Sequence, residues 1–292
     1  MRTPIARGFI AVGFAVFVAV GTAPASNQAF LYKFELSAAY AWENPRLNAS
    51  YLHSYAPPFT PGTFQSSASQ TLAFKGRKSH GYTAALRYFP IRFAGLEVLY
   101  DAFKADLTGV NSNYKTYLKY VSRQPPDYIP IEYVIQREEP WPATEGEFKE
   151  TIISVNAVAR APLAPILTVK VSAGASFCNF EAQSSSIAFT KYWLGGHGVL
   201  FMQEYRLALN WGTPKTTGYN FGGELNLDLF SNIALSADIR YFSFPETSAR
   251  WHVQTGEGVS ETAETLESLM NLGPVKFNPS LFRVNLGLRF LF

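Results

Sequence analysis

The stretch that most constrains this chain is "LFRVNLGLRFLF" (281–292). Phe282, Val284, Leu286, Leu288, Phe290 and Phe292 take the even positions, with Arg283, Asn285, Gly287 and Arg289 between them. Successive side chains of a strand point to opposite sides, so the segment reads as a β-strand with one apolar and one polar face. The same period recurs in "FELSAAYAW" (34–42), "YTAALRY" (82–88), "LEVLYD" (96–101) and "ISVNAVAR" (153–160). It returns in "LTVKVSAGASF" (167–177), "YNFGGELNLDL" (219–229) and "IALSADIRY" (233–241), which makes eight segments in all.

Their connections differ in length. "FPIRFAG" (89–95), "APLAP" (161–165) and "FSN" (230–232) are short and carry turn residues, whereas the stretches near 44–79, 104–149, 179–217 and 243–280 are long. Loops of that length are unusual inside a compact soluble domain. Four long loops at one end, with short turns and both termini at the other, predict an eight-stranded antiparallel transmembrane β-barrel. Closure also removes the edge strand, whose unpaired backbone groups hydrocarbon would leave without partners. The short turns would then be periplasmic and the long loops extracellular. No internal linker divides the chain, so residues 26–292 read as one barrel domain.

Which face points outward follows from the charges on the polar face. Glu35, Glu97, Asp101, Glu224, Asp228 and Asp238 stand against Arg87, Arg160, Lys170, Arg240, Arg283 and Arg289. The signs balance, and only one of the bases is lysine. Arginine's planar fork suits enclosed, multiply bonded ion pairs better than an ammonium does. The twelve are therefore expected to form a salt-bridge network filling a narrow lumen, with the apolar face meeting lipid.

The other end of the chain fits export. "MRTPIARGFIAVGFAVFVAVGTAPAS" has Arg2 and Arg7, an apolar run from Phe9 to Val20, and small residues at Ala23 and Ala25. That is the layout of a signal peptide over residues 1–25, with cleavage after Ala25. The apolar run is too short to cross ~30 Å of hydrocarbon as a helix. Removing residues 1–25 leaves 23 basic and 22 acidic residues, a net charge of +1, which offers no basic patch for a nucleic acid. Cys178 is the single cysteine, so no internal disulfide forms, and it is expected to point into a packed interior.

Two segments within the long connections have local character. "SETAETLESLMNLG" (260–273) predicts a short amphipathic helix with Ser260 as N-cap, Ala263, Leu266, Leu269 and Met270 on one stripe, and Gly273 as the stop. It is expected to pack over the barrel mouth. "DYIPIEYVIQREEPWP" (127–142) predicts a hairpin rising above the membrane. The Gly-rich "YWLGGHGVLF" (192–201) lacks the strand and capped helix of a phosphate loop and reads as a turn. The four histidines, His53, His80, His197 and His252, show no metal-ligand spacing, and no cofactor is implied.

The terminal strand, and "LRYFPIRFAGLEV" (86–98) with its aromatic–proline turn and Gly-led strand, resemble the small outer-membrane barrels of Gram-negative bacteria, the OmpA/OmpX/OmpW-like group. The resemblance implies a bacterial outer-membrane location, surrounded by outer-membrane lipid and lipopolysaccharide. It also implies that Phe282, Val284, Leu286, Leu288, Phe290 and Phe292 form the signal read by the barrel-assembly machinery. Some such barrels modify lipid A, but Ser79–His80 and His53–Ser54 do not match the deacylase pattern of His-x-Ser followed by Asn. Adjacent strand residues also point to opposite faces, which separates Ser79 from His80. A non-catalytic barrel is expected, structural or a conduit for small apolar molecules. The alternative is a surface adhesin meeting an extracellular ligand through its loops.

Overall fold

The computed structural model describes residues 33–45, 48–55, 64–76, 79–124, 129–140, 145–194, 200–212, 215–255, 259, 261–270 and 274–292. Ala23 and Ala25, Ser260 and Gly273 lie outside the described residues. In chain order the elements are β1 (Phe34–Pro45), β2 (Asn48–Tyr55), β3 (Phe64–Gly76), β4 (Ser79–Ile91), β5 (Ala94–Gln124), β6 (Ile129–Pro140) and β7 (Glu145–Ala164). Then come β8 (Leu167–Leu194), β9 (Leu200–Gly212), β10 (Thr216–Asp228), β11 (Ile233–Ser243), β12 (Thr247–Gln254), α1 (Ala263–Met270), β13 (Val275–Phe277) and β14 (Leu281–Leu291). None of the described helices is long and apolar enough to cross a membrane.

Eight strands close on themselves in the order β1–β4–β5–β7–β8–β10–β11–β14, and β14 pairs back with β1, every pair antiparallel. Closure at the terminal residue is direct: Phe292 N donates to Phe34 O at 2.9 Å, and Phe34 N to Phe292 O at 3.2 Å. The short connections 92–93, 165–166 and 229–232 lie at the same end. Alternation sorts the side chains cleanly. Leu86, Val98 and Leu286 are 53%, 51% and 47% exposed, whereas Arg87, Glu97 and Arg283 are 3%, 1% and 0% exposed. An apolar outer belt around a charged interior inverts the water-soluble arrangement, so the barrel is a transmembrane one. The ring of Phe292 points outward into that belt and is exposed, so its backbone is fixed at the rim while its side chain is not buried by protein.

Beyond the belt, the long connections contain more sheet than sequence reading expects. A second ring runs β2–β3–β5–β7–β8–β9–β12–β13, and β13 meets β2 through the pair Lys276↔Ser50. Each member continues a strand of the first ring: β5, β7 and β8 run through both, while the other five are interrupted between the rings. Two of these breaks lie side by side, at Pro245 and Pro279. Proline has no N–H to give to a ladder. There the Ser280 hydroxyl acts as the stitch, accepting from Phe244 N at 3.0 Å and donating to Phe244 O at 3.2 Å. The stretches 104–149 and 179–217, read as loops, are thus largely strand. Their polar outer faces and the interruptions in neighbouring strands hide the alternation. Residues 129–140 form the single strand β6, so the hairpin expected of 127–142 takes its other arm from the far part of β5, with Lys119–Glu132 and Lys115–Glu138 ion pairs at 2.8 and 3.1 Å across it.

In this upper ring the polarity reverses. Phe103, Ala105, Leu107, Phe148, Phe180, Leu207, Leu209, Trp211, Trp251 and Val253 are buried. Lys104, Asp106, Lys149, Glu181, Arg250 and His252 face out. Helix α1 joins this core through Leu266 and Met270, both 0% exposed. Its first turn is capped by Thr262: Thr265 N donates to Thr262 Oγ1 at 3.3 Å, and Leu266 N to Thr262 O at 3.1 Å. Glu261 then anchors the helix start by pairing with Lys191 and accepting from Tyr205 Oη at 2.7 Å. Glu267 accepts from Val253 N at 2.8 Å.

Candidate functional site

The site is the interior of the lower ring. Strand alternation sends every second residue inward, and closure brings those residues from eight strands into a space only a few side chains wide. All twelve charged residues singled out in the sequence lie there. Eleven are buried, and Asp228, near the short-turn end, is partly so.

Glu35 sits at one centre. Arg160 Nη1 is 2.9 Å away, Arg289 Nη1 3.5 Å and Arg87 Nη1 3.9 Å, and Lys170 Nζ completes the set. Glu97 forms a second centre, with Arg87 Nε at 2.6 Å, Arg240 Nη2 at 3.0 Å and an Asn156 Nδ2 hydrogen bond at 2.7 Å. Glu224 joins the two, accepting from Arg87 and, at 3.1 Å, from Lys170 Nζ. Above them Arg283 bridges Asp101 and Asp238, the latter at 2.7 Å. Arg289 reaches Asp228 at 2.6 Å towards the short turns.

Neutral groups complete these shells. Asn220 donates to Asn156 and to Ser176 at 2.8 Å each, and accepts from Arg240 Nη1 at 2.8 Å. Thr83 donates to Asp101 at 2.6 Å, and the Arg160 guanidinium stacks 3.8 Å over the Phe89 ring. A glycine makes part of this possible. A Cβ on Gly174 would run into Val155 O and Asn156 Oδ1, so this lumen position has no room for any side chain.

Two lumen carboxylates escaped sequence reading. Glu43 lies one residue past the quoted first strand, and Glu150 falls three residues before the quoted "ISVNAVAR". Extending each alternation by one or two steps would have placed both inward. Cys178 is buried beside Glu150, its Sγ donating to Glu150 Oε1 at 3.1 Å. Ser79 points inward and His80 outward, so the two form no nucleophile–base pair. On the outer surface of the upper ring, Glu147 lies between Lys104 and Lys149, whose hydrogen bonds hold its carboxyl below the usual glutamate range.

No family model matches this chain, and no curated protein matches it either. Among solved structures it is similar to the outer membrane protein OprG from Pseudomonas aeruginosa, at 8% identity and a TM-score of 0.46, over 89% of this chain and 96% of that one. These similar proteins are small outer-membrane barrels. Neisserial surface protein A is another, at 12% identity and a TM-score of 0.35, over 89% of this chain and 97% of that one. The attachment invasion locus protein Ail of Yersinia pestis, solved with the heparin analogue sucrose octasulfate, is a third, at 12% identity and a TM-score of 0.33, over 88% and 99%.

Proposed function

We propose that this chain is an integral β-barrel of a bacterial outer membrane, without catalytic activity, whose lumen is sealed and whose work is done at the cell surface by the upper ring. In this reading residues 1–25 direct export and are cleaved after Ala25, and the apolar belt meets outer-membrane lipid. Phe282 through Phe292 present the segment that the assembly machinery reads, and the outer face of the upper ring meets lipopolysaccharide and an extracellular ligand. The single observation that carries the reading is the reversal of polarity along β5. Leu96, Val98 and Tyr100 face outward around Glu97 and Asp101, and then Lys104 and Asp106 face outward around Phe103, Ala105 and Leu107. One part of the strand suits lipid and the next suits water. The interior carries a charge network in one ring and an apolar core with α1 in the other, two successive barriers to a solute.

A specific observation favours a second reading, a conduit for small apolar molecules. An apolar groove of about 740 Å³ indents the lipid face, lined by Ala157, Ala159, Ala173, Phe221, Gly223 and Phe282 among others. Planar-bilayer recording separates the readings for ions, and uptake of a small apolar dye by vesicles carrying the protein does so for apolar solutes. The sealed barrel gives no steady conductance and no faster uptake. Large, steady conductance would overturn the sealed lumen, and accelerated dye uptake would favour the conduit.

A further inference from the structure

Above the upper ring the molecule leaves one strand edge open. Among the described residues β6 pairs with β5 alone, so the three-stranded sheet β3–β5–β6 ends on it. Its register with β5 runs without a bulge from Ile129 to Pro140. Residues 131–139, between its two prolines, contain neither glycine nor proline. Tyr133 is half-buried and the rest are exposed, with Val134 at 54%, Ile131 at 41% and Ile135 at 36%. A long, regular edge that carries apolar side chains is a template for another strand, because its outward N–H and C=O groups find no partner within the sheet. Folded proteins commonly shorten, bulge or cover such edges, and β6 shows none of the three.

The prolines decide which backbone groups look outward. Pro130 and Pro140 have the same parity, and a proline sits on an edge strand with its nitrogen turned away from the ladder. The outward groups are therefore those of Glu132, Val134, Gln136 and Glu138.

This edge is complementary to itself. Antiparallel pairing of two β6 strands about a two-fold axis through Val134 sets Val134 against its own copy, Glu132 against Gln136, Tyr133 against Ile135 and Ile131 against Arg137. No like charges oppose one another in that register. An axis through Ile135 would set Glu132 against Glu138, which repulsion disfavours. Two copies in one membrane cannot meet this way. Strands of such barrels tilt by about 35–45°, so turning one upright copy to face another leaves their β6 strands crossing at roughly 70–90°, against about 20–25° between neighbours in a sheet. A copy held upside down by a second, facing membrane presents the same edge antiparallel. We propose that the free edge of β6 is a self-recognition surface, joining copies on facing outer membranes by antiparallel β6–β6 pairing. The proposal rests on the reading that the upper ring lies outside the membrane. One such contact is small, but many copies on two apposed surfaces add up to an avidity beyond the affinity of a single pair.

The test reconstitutes the whole folded protein in phosphatidylcholine vesicles and follows vesicle–vesicle tethering by light scattering. Vesicles carrying the wild type are expected to tether to one another and not to protein-free vesicles. Val134→Pro removes the central outward N–H at a parity where β6 already carries prolines, and tethering should fall about tenfold or more, since every contact between two vesicles loses its central bonds. Val134→Thr keeps that N–H and should tether as the wild type does. The register is read at one exposed position: Gln136→Glu, facing Glu132 of the other copy, should weaken tethering, and Gln136→Lys should strengthen it. Those two surface changes keep the test open where Val134→Pro does not fold. Absence of tethering by the wild type, tethering that Val134→Pro leaves intact, or indifference to both Gln136 variants would overturn the pairing. Tethering to protein-free vesicles would overturn it too, since the surface would then bind lipid. Labelling of Glu138→Cys by a membrane-impermeant maleimide on intact cells tests the surface reading separately. Unlabelled cells would overturn that reading and the proposal with it, whereas labelled cells whose protein fails to tether vesicles would overturn the pairing alone.

Discussion

The lower and upper rings share β5, β7 and β8 and the same two-residue period, yet they are built inside out relative to one another. In the lower ring, Glu97 and Asp101 face in while Leu96, Val98 and Tyr100 face out; a few residues later Ala105 and Leu107 face in while Lys104 and Asp106 face out. β5, β7 and β8 run through the change as continuous strands, because alternation fixes only which residues share a face. The surrounding solvent decides which face is apolar. Lipid tolerates no exposed charge, so the lower ring places its charges where they can pair. Water has no such restriction, and the upper ring buries its aromatic and aliphatic side chains as any soluble domain does. The two interiors are held differently as a result. The lower depends on directional ion pairs that must all be present, the upper on packing that is largely non-directional.

That contrast can be attacked from both sides. The largest effect is expected from Arg283→Ala, which leaves Asp101 without its cation and removes one partner of Asp238. Breaking a buried pair from one side costs on the order of 3–5 kcal/mol, read as a lower urea midpoint in detergent. A loss no greater than that of a surface change would mean that the lumen is wet and the charges screened. Next comes Leu286→Lys, on the outer face of the same strand, where a charge near the midplane of the bilayer costs roughly 2–4 kcal/mol. Folding into vesicles should suffer clearly, while the matching change Asp106→Lys on the outside of the upper ring should leave folding intact. Equal behaviour of the two variants would erase the distinction between the rings. The smallest effect belongs to Lys104→Gln. It breaks an exposed pair with Glu147 that also has Lys149 as partner, and exposed pairs contribute little. A midpoint indistinguishable from wild type is expected, and a marked loss would show that the outer face of the upper ring has a structural role.

The alternating segments of the lower ring were legible because each keeps one face purely apolar over many residues, as Phe282 through Phe292 does. The upper ring was not. Its outward positions mix Lys, Asp, Glu and Gln with small residues, and β2, β3, β9, β12 and β13 are separate elements beyond interruptions, two of which hold Pro245 and Pro279. A local pattern cannot say that a strand resumes across such a break. The helix was legible from the stripe of Leu266 and Met270. Thr262, chemically like Ser260 and two residues on, caps the first turn, a role that only the backbone geometry assigns. Glu43 and Glu150 were missed where the quoted segments stopped short, although their parity was there to be read.

The sequence by itself determined the strand period and the face to which each of the twelve charged residues it singled out belongs. These are properties of neighbours along a strand, where side-chain direction repeats every two residues. Which acid meets which base was decided by the tertiary structure alone. Glu35 and Lys170, or Asp101 and Arg283, are far apart in the chain and meet only because closure sets the stagger of one strand against the next. The second ring, and the hydrogen bond that Cys178 gives Glu150 near its lower boundary, belong to the tertiary structure for the same reason. Register between strands is a non-local property, set by how eight strands, five of them interrupted, close around one axis.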